Sequence, residues 1–212
     1  LDDLGAALIS LGNTAEAEPL LREALSIRRE VLPSGHSDIA MSLNNVAFTV
    51  KGKGNSAEPE TMYREAPEID RRRLGNEHPE VATKLVNLAL VMMDQRKWQD
   101  AEPIAREAVA IRRKVLGADH PSLANALDQL ANSVGPQGRA ADAVAAKREA
   151  LAIAQRAFGE KHRETARLQN NLAWTLLTVD GYAEAEPLFR RAVPTLQSVP
   201  GGAAIARNAA TG

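Results

Sequence analysis

The chain has 212 residues, which is enough for one domain or a repeat array with a sizeable buried core. Its 26 Lys and Arg residues nearly balance 27 Asp and Glu residues, and the net charge of −1 excludes a field that attracts nucleic acid or an anionic membrane. Hydrophobic residues make up 44% and aromatic residues 3%, which argues against general disorder and against an all-β fold. There is no cysteine for a disulfide or a thiolate metal site, and no apolar run approaches the roughly 20 residues of a membrane span.

Residue types recur along the whole chain at an interval of 42 residues. An alanine column consists of Ala24, Ala66, Ala108, Ala150 and Ala192. An arginine column lies two residues earlier, at Arg22, Arg64, Arg106, Arg148 and Arg190. All four histidines keep the same step, at His36, His78, His120 and His162. Chance does not hold several columns in phase, so the sequence predicts a tandem repeat.

Each repeat is predicted to form two helices. The first begins near the histidine, where Pro79 and Pro121 occupy a helix-start position that needs no N–H donor. Apolar residues then follow at helical spacing, as in Val81, Leu85, Leu88, Ala89 and Met92. The second helix ends at a glycine, as at Gly117 and Gly159. About ten helices are expected, the first of them entering mid-unit at Leu1.

Such helix pairs cannot bury both faces alone, so the repeats are expected to stack into a curved all-α solenoid. Columns of small residues predict close helix packing, and the second of them holds Gly5, Ala47, Ala89, Ala131 and Ala173. A single array is predicted over residues 1–198, with five repeats at about 1–34, 35–76, 77–118, 119–160 and 161–198. The phase is lost beyond Val199, and residues 199–212 are expected to form a disordered tail or a short appended helix.

Three stretches carry a family resemblance. They are Leu43-Asn44-Asn45-Val46-Ala47, Leu116-Gly117-Ala118-Asp119-His120-Pro121, and Tyr182-Ala183-Glu184-Ala185-Glu186-Pro187-Leu188. They resemble tetratricopeptide repeats (TPR), and the 42-residue period is similar to the kinesin light chain type. The resemblance implies a right-handed α-α superhelix of about five helix-turn-helix units. It also implies a protein- or peptide-binding scaffold in which the first helix of each pair lines a concave groove.

The second repeat departs from the pattern at Pro67, because the same column carries aliphatic residues in the other repeats. A proline inside a helix removes one hydrogen bond and costs about 3 kcal/mol. The sequence therefore predicts a kink or break around Ala66-Pro67, next to a loose turn at Lys51-Gly52-Lys53-Gly54. Pro194 is expected to bend the last helix, whereas Pro19, Pro103 and Pro187 fall early in their helices.

The histidine and arginine columns are interpreted as structural. Histidines one repeat apart lie at least a helix-packing distance of about 10 Å from one another, too far to share a metal ion. Glutamates four residues before the arginines predict exposed ion pairs at Glu18–Arg22, Glu60–Arg64, Glu102–Arg106 and Glu186–Arg190. The arginine clusters near residues 28–29, 71–73 and 112–114 suit the helix dipole, and binding of acidic ligands there is the alternative.

An amide column on the first helices is the main binding candidate. Side-chain amides both donate and accept, so a row of them can pair with the backbone of an extended peptide. The alternative is that these amides tie neighbouring helices together, and the sequence does not choose between the two. Together with their neighbours on the same face, the groove candidates are Met41, Asn44, Asn45, Phe48, Asn87, Leu90, Gln129, Asn132, Arg167, Asn170, Asn171 and Trp174.

No catalytic motif is present in the sequence, and no asymmetric set of acid and base residues stands apart from the repeat. The sequence therefore predicts a non-enzymatic scaffold with no cofactor and no metal, which binds a protein or peptide but neither nucleic acid nor membrane. Self-association through the array ends and a regulatory sensor segment of a larger multidomain protein are the alternatives. The lack of a starting methionine and the incomplete first unit favour the latter. A cytoplasmic location is expected.

Overall fold

The computed structural model describes residues 1–51 and 57–197, and within them the fold is all-α. Ten α-helices and one short 3₁₀-helix are formed, and no strand occurs in these ranges. The helices are α1 (Asp2–Ser10), α2 (Thr14–Val31), α3 (Ser37–Val50), α4 (Ala57–Leu74), α5 (Pro79–Asp94), α6 (Trp98–Leu116), α7 (Pro121–Val134), α8 (Ala140–Phe158), α9 (Arg163–Leu177) and α10 (Tyr182–Gln197), with the 3₁₀-helix at Gly135–Gln137. The predicted turn at residues 52–54 and the tail at residues 199–212 lie outside the described residues.

The chain divides into two compact units between Ile111 and Arg112. In unit 1, the helices from α1 to α4 each pack against the next helix in the chain, and α4 packs against α5. In unit 2, α7, α8, α9 and α10 pack in the same consecutive manner. Consecutive packing of helix pairs is the arrangement expected of tandem repeats, because each repeat contacts its neighbours. The predicted all-α repeat fold is confirmed.

The histidine column marks the start of the first helix in the second to fifth repeats, as predicted. Each imidazole is the N-cap residue, and its Nδ1 accepts a hydrogen bond from the backbone N–H two residues later. The N···N distances are 3.2 Å at His36, 3.2 Å at His78, 3.1 Å at His120 and 3.2 Å at His162. A cap of this kind satisfies one of the N–H groups that a helix start leaves without a partner. The repeated histidine is therefore a structural residue.

Glycine ends the second helix of several repeats in the backbone conformation that favours it. The φ angles are +86° at Gly75, +89° at Gly117 and +83° at Gly159. These values lie in the region with positive φ, where a Cβ atom is strained. The predicted stops at Gly117 and Gly159 are confirmed.

The column of small residues on the first helices is buried and permits close helix packing. At Gly5 a Cβ atom would lie 2.5 Å from Leu21 Cγ, so the approach of α2 to α1 requires glycine there. The alanines of this column are at most 1% exposed. Unit 1 also contains a core that α2, α3 and α4 share, formed by Ala17, Leu21, Leu25, Ile39, Ala40, Leu43, Val46, Val50, Ala66 and Ile69.

Pro67 does not break α4, so the break predicted there is wrong, whereas the predicted kink stays a prediction. One α-helix continues from Ala57 to Leu74 with Pro67 inside it. Ala66 and Ile69 on the same helix are buried in the core of unit 1 at 0% and 4% exposure. Packing of this face holds the helix together at a cost in backbone hydrogen bonding of about 3 kcal/mol. The last helix, α10, also continues through Pro194 to Gln197, and the bend expected there stays a prediction.

Candidate functional site

In unit 1, the candidate residues of α3 and α5 form a partly apolar surface, which we call the first-helix face of unit 1. It consists of Met41, Asn45, Phe48, Asn87 and Leu90. Met41 and Phe48 are 41% and 49% exposed, which is high for large apolar side chains. Asn45, Asn87 and Leu90 are half-buried. Residues 41, 45 and 48 share one side of α3 because they follow the i, i+4, i+7 spacing of a helix.

The amides of unit 1 behave in two different ways. Asn87 Nδ2 donates to Asn44 Oδ1 at 2.6 Å, which ties α5 to α3. Asn45 makes no hydrogen bond to any residue that the structure describes. Asn44 and Asn87 therefore connect neighbouring helices, which is one of the two roles that the sequence allowed for the amides. The Asn45 amide retains its donors and acceptor for another molecule.

In unit 2, the candidate amides belong largely to an internal polar network. Asn171 Nδ2 donates to Asp128 Oδ2 at 2.9 Å, and Arg167 Nη1 donates to the same oxygen at 2.8 Å. Asn132 accepts a hydrogen bond from Lys147 Nζ at 2.7 Å and donates to Gln129 Oε1 at 3.3 Å. These contacts join α7, α8 and α9.

Two further candidates of unit 2 differ in exposure. Asn170 is 7% exposed, and its Oδ1 has no hydrogen-bond partner within the described part of the chain. Trp174 is 37% exposed and packs edge-on against Phe189 of α10, with ring centroids 5.4 Å apart. Trp174 therefore contributes both to packing and to the surface of α9.

The centre of this network is Asp128, which the analysis of the sequence missed. Its side chain is 1% exposed, and its Oδ1 accepts from Lys147 Nζ at 2.7 Å in a pair whose lysine is 4% exposed. Burial alone raises the pKa of Asp128, but the charges and hydrogen bonds of Lys147 and Arg167 outweigh it and lower the pKa below its ordinary value. The carboxylate is therefore ionised at neutral pH.

One signal in the sequence could have revealed this cluster. At the 42-residue step, Lys147 stands in a column that otherwise holds Leu21, Tyr63, Ala105 and Phe189. A lysine in an apolar column requires a buried partner, because an isolated charge is costly to bury.

The arginine column forms the predicted pairs within its helices. The N···O distances are 2.8 Å for Arg22–Glu18, 2.9 Å for Arg64–Glu60, 2.6 Å for Arg106–Glu102 and 2.7 Å for Arg190–Glu186. Arg148 has Val144 in place of the glutamate four residues earlier, and it pairs with Glu184 at 2.6 Å instead. The arginines of this column therefore have a structural role, because each of them forms an ion pair with a glutamate.

The arginine clusters at the helix ends contribute a second series of ion pairs, which joins successive second helices. Arg29 contacts Glu65 at 2.7 Å, Arg71 contacts Glu107 at 2.7 Å and Arg113 contacts Glu149 at 2.6 Å. Each pair spans 36 residues, so the series keeps the repeat register. These three arginines are used in contacts between repeats, which weakens the alternative of an acidic-ligand site there.

Neither a metal-binding cluster nor a membrane-spanning helix occurs among the residues with described positions. No group of three or more His, Asp or Glu side chains there could hold a metal ion. None of the helices in residues 1–51 and 57–197 is both long and apolar enough to cross a membrane.

Several solved structures are similar to this chain. A Podosopora anserina protein with nearly identical kinesin light chain TPR-like repeats is 23% identical, with a TM-score of 0.75 and 92% of each chain covered. BtubC (BKLC) from P. vanneervenii is 23% identical, with a TM-score of 0.75 over 91% of this chain and 76% of that one. A Rap protein complexed with competence and sporulation factor is 15% identical, with a TM-score of 0.75 over 91% of this chain and 52% of that one. These likenesses show a shared fold.

Sequence comparisons give the family. Comparison with curated proteins found no match. Two family models described as tetratricopeptide repeat match the chain, one over residues 129–198 and the other over residues 1–38 and 81–122. Together these matches span more than half of the chain, and they agree with the two-helix repeat of the structure. The chain belongs to the tetratricopeptide repeat family.

Proposed function

We propose that this protein is a non-catalytic scaffold and that the first-helix face of unit 1 binds an extended segment of a partner polypeptide. The observation that carries the proposal is the Asn45 amide, which lies without a hydrogen-bond partner in the described chain between the exposed Met41 and Phe48. An amide between two apolar side chains offers backbone hydrogen bonding and side-chain burial at one place.

The spacing on α3 suits an extended ligand. Seven residues of α-helix separate Met41 from Phe48, a rise of about 10 Å along the axis. An extended peptide covers this distance with about three residues. The fold supports the class of function, because tetratricopeptide repeats are generally protein-interaction scaffolds. A Rap protein of similar fold was solved with competence and sporulation factor.

The test uses peptides selected from a random displayed library on the full chain. Their affinity is then measured by calorimetry for the wild type and for the double variant Asn45→Ala/Phe48→Ala. We expect the double variant to bind at least about tenfold more weakly, because it loses both the amide and an apolar contact. Ile27→Ala is the matched control, since Ile27 is 44% exposed on α2 in the same unit. Selected peptides that bind the double variant as tightly as the wild type would overturn the proposal.

Self-association is a second candidate function, supported by the apolar surface of α1. Leu4 on α1 is 54% exposed, and Leu1 and Leu11 at its two ends are 50% and 75% exposed. A second copy of the chain is the proposed occupant. Sedimentation of the wild type and of Leu4→Glu over a range of concentrations tests this. Association in the wild type that Leu4→Glu abolishes supports it, and a monomer at all concentrations contradicts it.

A further inference from the structure

A pocket of about 210 Å³ lies in unit 2, where the first turns of α7 and α9 meet the end of α8. Its floor is apolar and belongs to the core, since Ala124, Ala154 and Leu168 are 3%, 1% and 2% exposed. The less buried part of its lining, the rim, is mixed and includes Asn125 and Arg167 beside the apolar Pro121 and Phe158. None of the groove candidates predicted from the sequence lies on the floor, although Arg167 lies on the rim.

The pocket exists because Ala154 is small in a column that holds arginine in two other repeats. At the 42-residue step, Ala154 is equivalent to Arg28 and Arg112. Arg28 Nη1 donates to the carbonyl oxygen of Asp38 at 3.2 Å, and Arg112 Nη1 donates to that of Ser122 at 2.6 Å. In both repeats the guanidinium fills the space between the end of a second helix and the first turn of the next helix. The methyl group of Ala154 cannot reach across, so the space stays open.

The equivalent place in unit 1 has no apolar floor. The positions that correspond to Ala154 and Leu168 are occupied by Asp70 and Lys84. Both side chains are buried, with residue exposures of 3% and 9%. An apolar ligand group would have to displace or desolvate these charges further, which is costly. The apolar floor is therefore a property of unit 2 and is not a general feature of the repeat.

The size and charge of the pocket define what it can hold. Its volume lies below the roughly 300–1,000 Å³ of sites for small molecules and suits a single side chain. Glu164 and Arg167 at the rim form an ion pair at 2.9 Å, which leaves no unbalanced charge to attract a phosphate or a free carboxylate. The side-chain oxygen of Asn125 accepts a hydrogen bond from Arg112 Nη1 at 3.4 Å. Its amide nitrogen donates no hydrogen bond to any described residue. It is available to a backbone carbonyl of a bound chain.

We infer that this pocket takes one aliphatic side chain, of leucine size, from a partner polypeptide. This inference rests on the scaffold role in the proposed function and adds to it a preference for an apolar anchor residue. Burial of one such side chain in a fitted pocket discriminates strongly against shorter side chains. The Asn125 amide would bond the backbone next to the anchor.

The direct test is a titration of the full chain, followed by methyl NMR, with N-acetyl-leucine methylamide as the probe. We expect saturable shifts at Ala154 and Leu168 for the wild type. Ala154→Leu fills the pocket, and leucine is accommodated in this column at Leu196, which is 3% exposed. We expect this variant to lose affinity for the probe by about tenfold or more. Ala145→Leu, at an exposed position of α8, adds the same atoms outside the pocket and should behave as the wild type.

The outcomes separate this inference from the proposed function. The inference that the pocket binds a leucine side chain is overturned if the wild type shows no saturable shifts. It is also overturned if the probe binds Ala154→Leu as tightly as the wild type. Ala154→Val replaces Ala154→Leu as the filled variant if the leucine lowers the unfolding midpoint. Some peptides selected on the wild type could bind Asn45→Ala/Phe48→Ala more weakly but bind Ala154→Leu as tightly as the wild type. That result would support binding at the first-helix face of unit 1 and refute binding at the pocket. Weaker binding to Ala154→Leu alone would support binding at the pocket and refute binding at that face.

Discussion

Replacing Asp128 with alanine tests whether the buried network of unit 2 stabilises the fold. The change removes the carboxylate that holds Lys147, Arg167 and Asn171, and it leaves the Lys147 ammonium at 4% exposure. Removing one member of a buried ion pair costs about 3–5 kcal/mol, because the remaining charge is uncompensated. Lys147 keeps one hydrogen bond, to Asn132 at 2.7 Å. We therefore expect the lower end of this range, about 3 kcal/mol.

The measurement is urea unfolding of the full chain at pH 7, followed by circular dichroism. The double variant Asp128→Ala/Lys147→Met removes both charges and places an apolar residue in a column that is otherwise apolar. We expect it to recover most of the loss, since a well-packed apolar pair replaces a buried ion pair at little cost. Glu184→Ala is the control. It breaks the exposed pair with Arg148, whose side chain is 54% exposed, and should cost less than about 1 kcal/mol.

The pH dependence gives an independent check on Asp128. Because its pKa is lowered in the folded state, its contribution to stability is present above the ordinary value of 3.8 and is lost as the pH falls through the folded-state pKa. The wild type should lose this contribution below about pH 4, whereas Asp128→Ala should not. A cost below about 1 kcal/mol for Asp128→Ala, or a double variant no more stable than the single one, would refute the reasoning.

Three further predictions concern unit 1. Gly5→Ala should lower the unfolding free energy by about 1–3 kcal/mol, since its Cβ would lie 2.5 Å from Leu21 Cγ; an unchanged melting temperature would contradict this close packing. Pro67→Leu should raise stability by up to about 3 kcal/mol by restoring a hydrogen bond within α4, and a loss in urea unfolding would show that the site needs the proline ring. Burial raises the pKa of Asp70 more than Lys84 lowers it, so the charged form costs stability as the pH rises above 3.8. Asp70→Asn should therefore be more stable than the wild type at pH 7 but not at pH 3, and equal stability at pH 7 would contradict it.

Local features of this fold could be predicted from the sequence, because they depend on residues that are close together in the chain. The histidine caps involve a backbone N–H two residues away, as at His78 and Glu80. The ion pairs of the arginine column join residues four apart. The glycine stops at Gly117 and Gly159 depend on the conformation of a single residue. The 42-residue step then extended these local predictions to the equivalent positions of other repeats within residues 1–198.

Which candidate residues are available for binding depends on contacts between helices. The sequence did not determine these contacts. Asn45 and Asn87 occupy the same column, yet Asn87 bonds to Asn44 and Asn45 has no partner in the described chain. Which amide is used depends on the side chain that the neighbouring helix places opposite it, at a separation of about one repeat. The buried pairing of Asp128 and the pocket above Ala154 could not be predicted from the sequence for the same reason. Both are formed by side chains from different helices.

The sequence by itself determined that this chain is a row of two-helix repeats, that first helices begin near the histidines, and that second helices end at glycines such as Gly117 and Gly159. Tertiary structure decided that α4 continues through Pro67, because burial of Ala66 and Ile69 outweighs the lost hydrogen bond. It also decided which polar groups remain available to a partner. Capping and helical periodicity are short-range properties of the chain, whereas burial and pairing across helices are properties of the packed repeats.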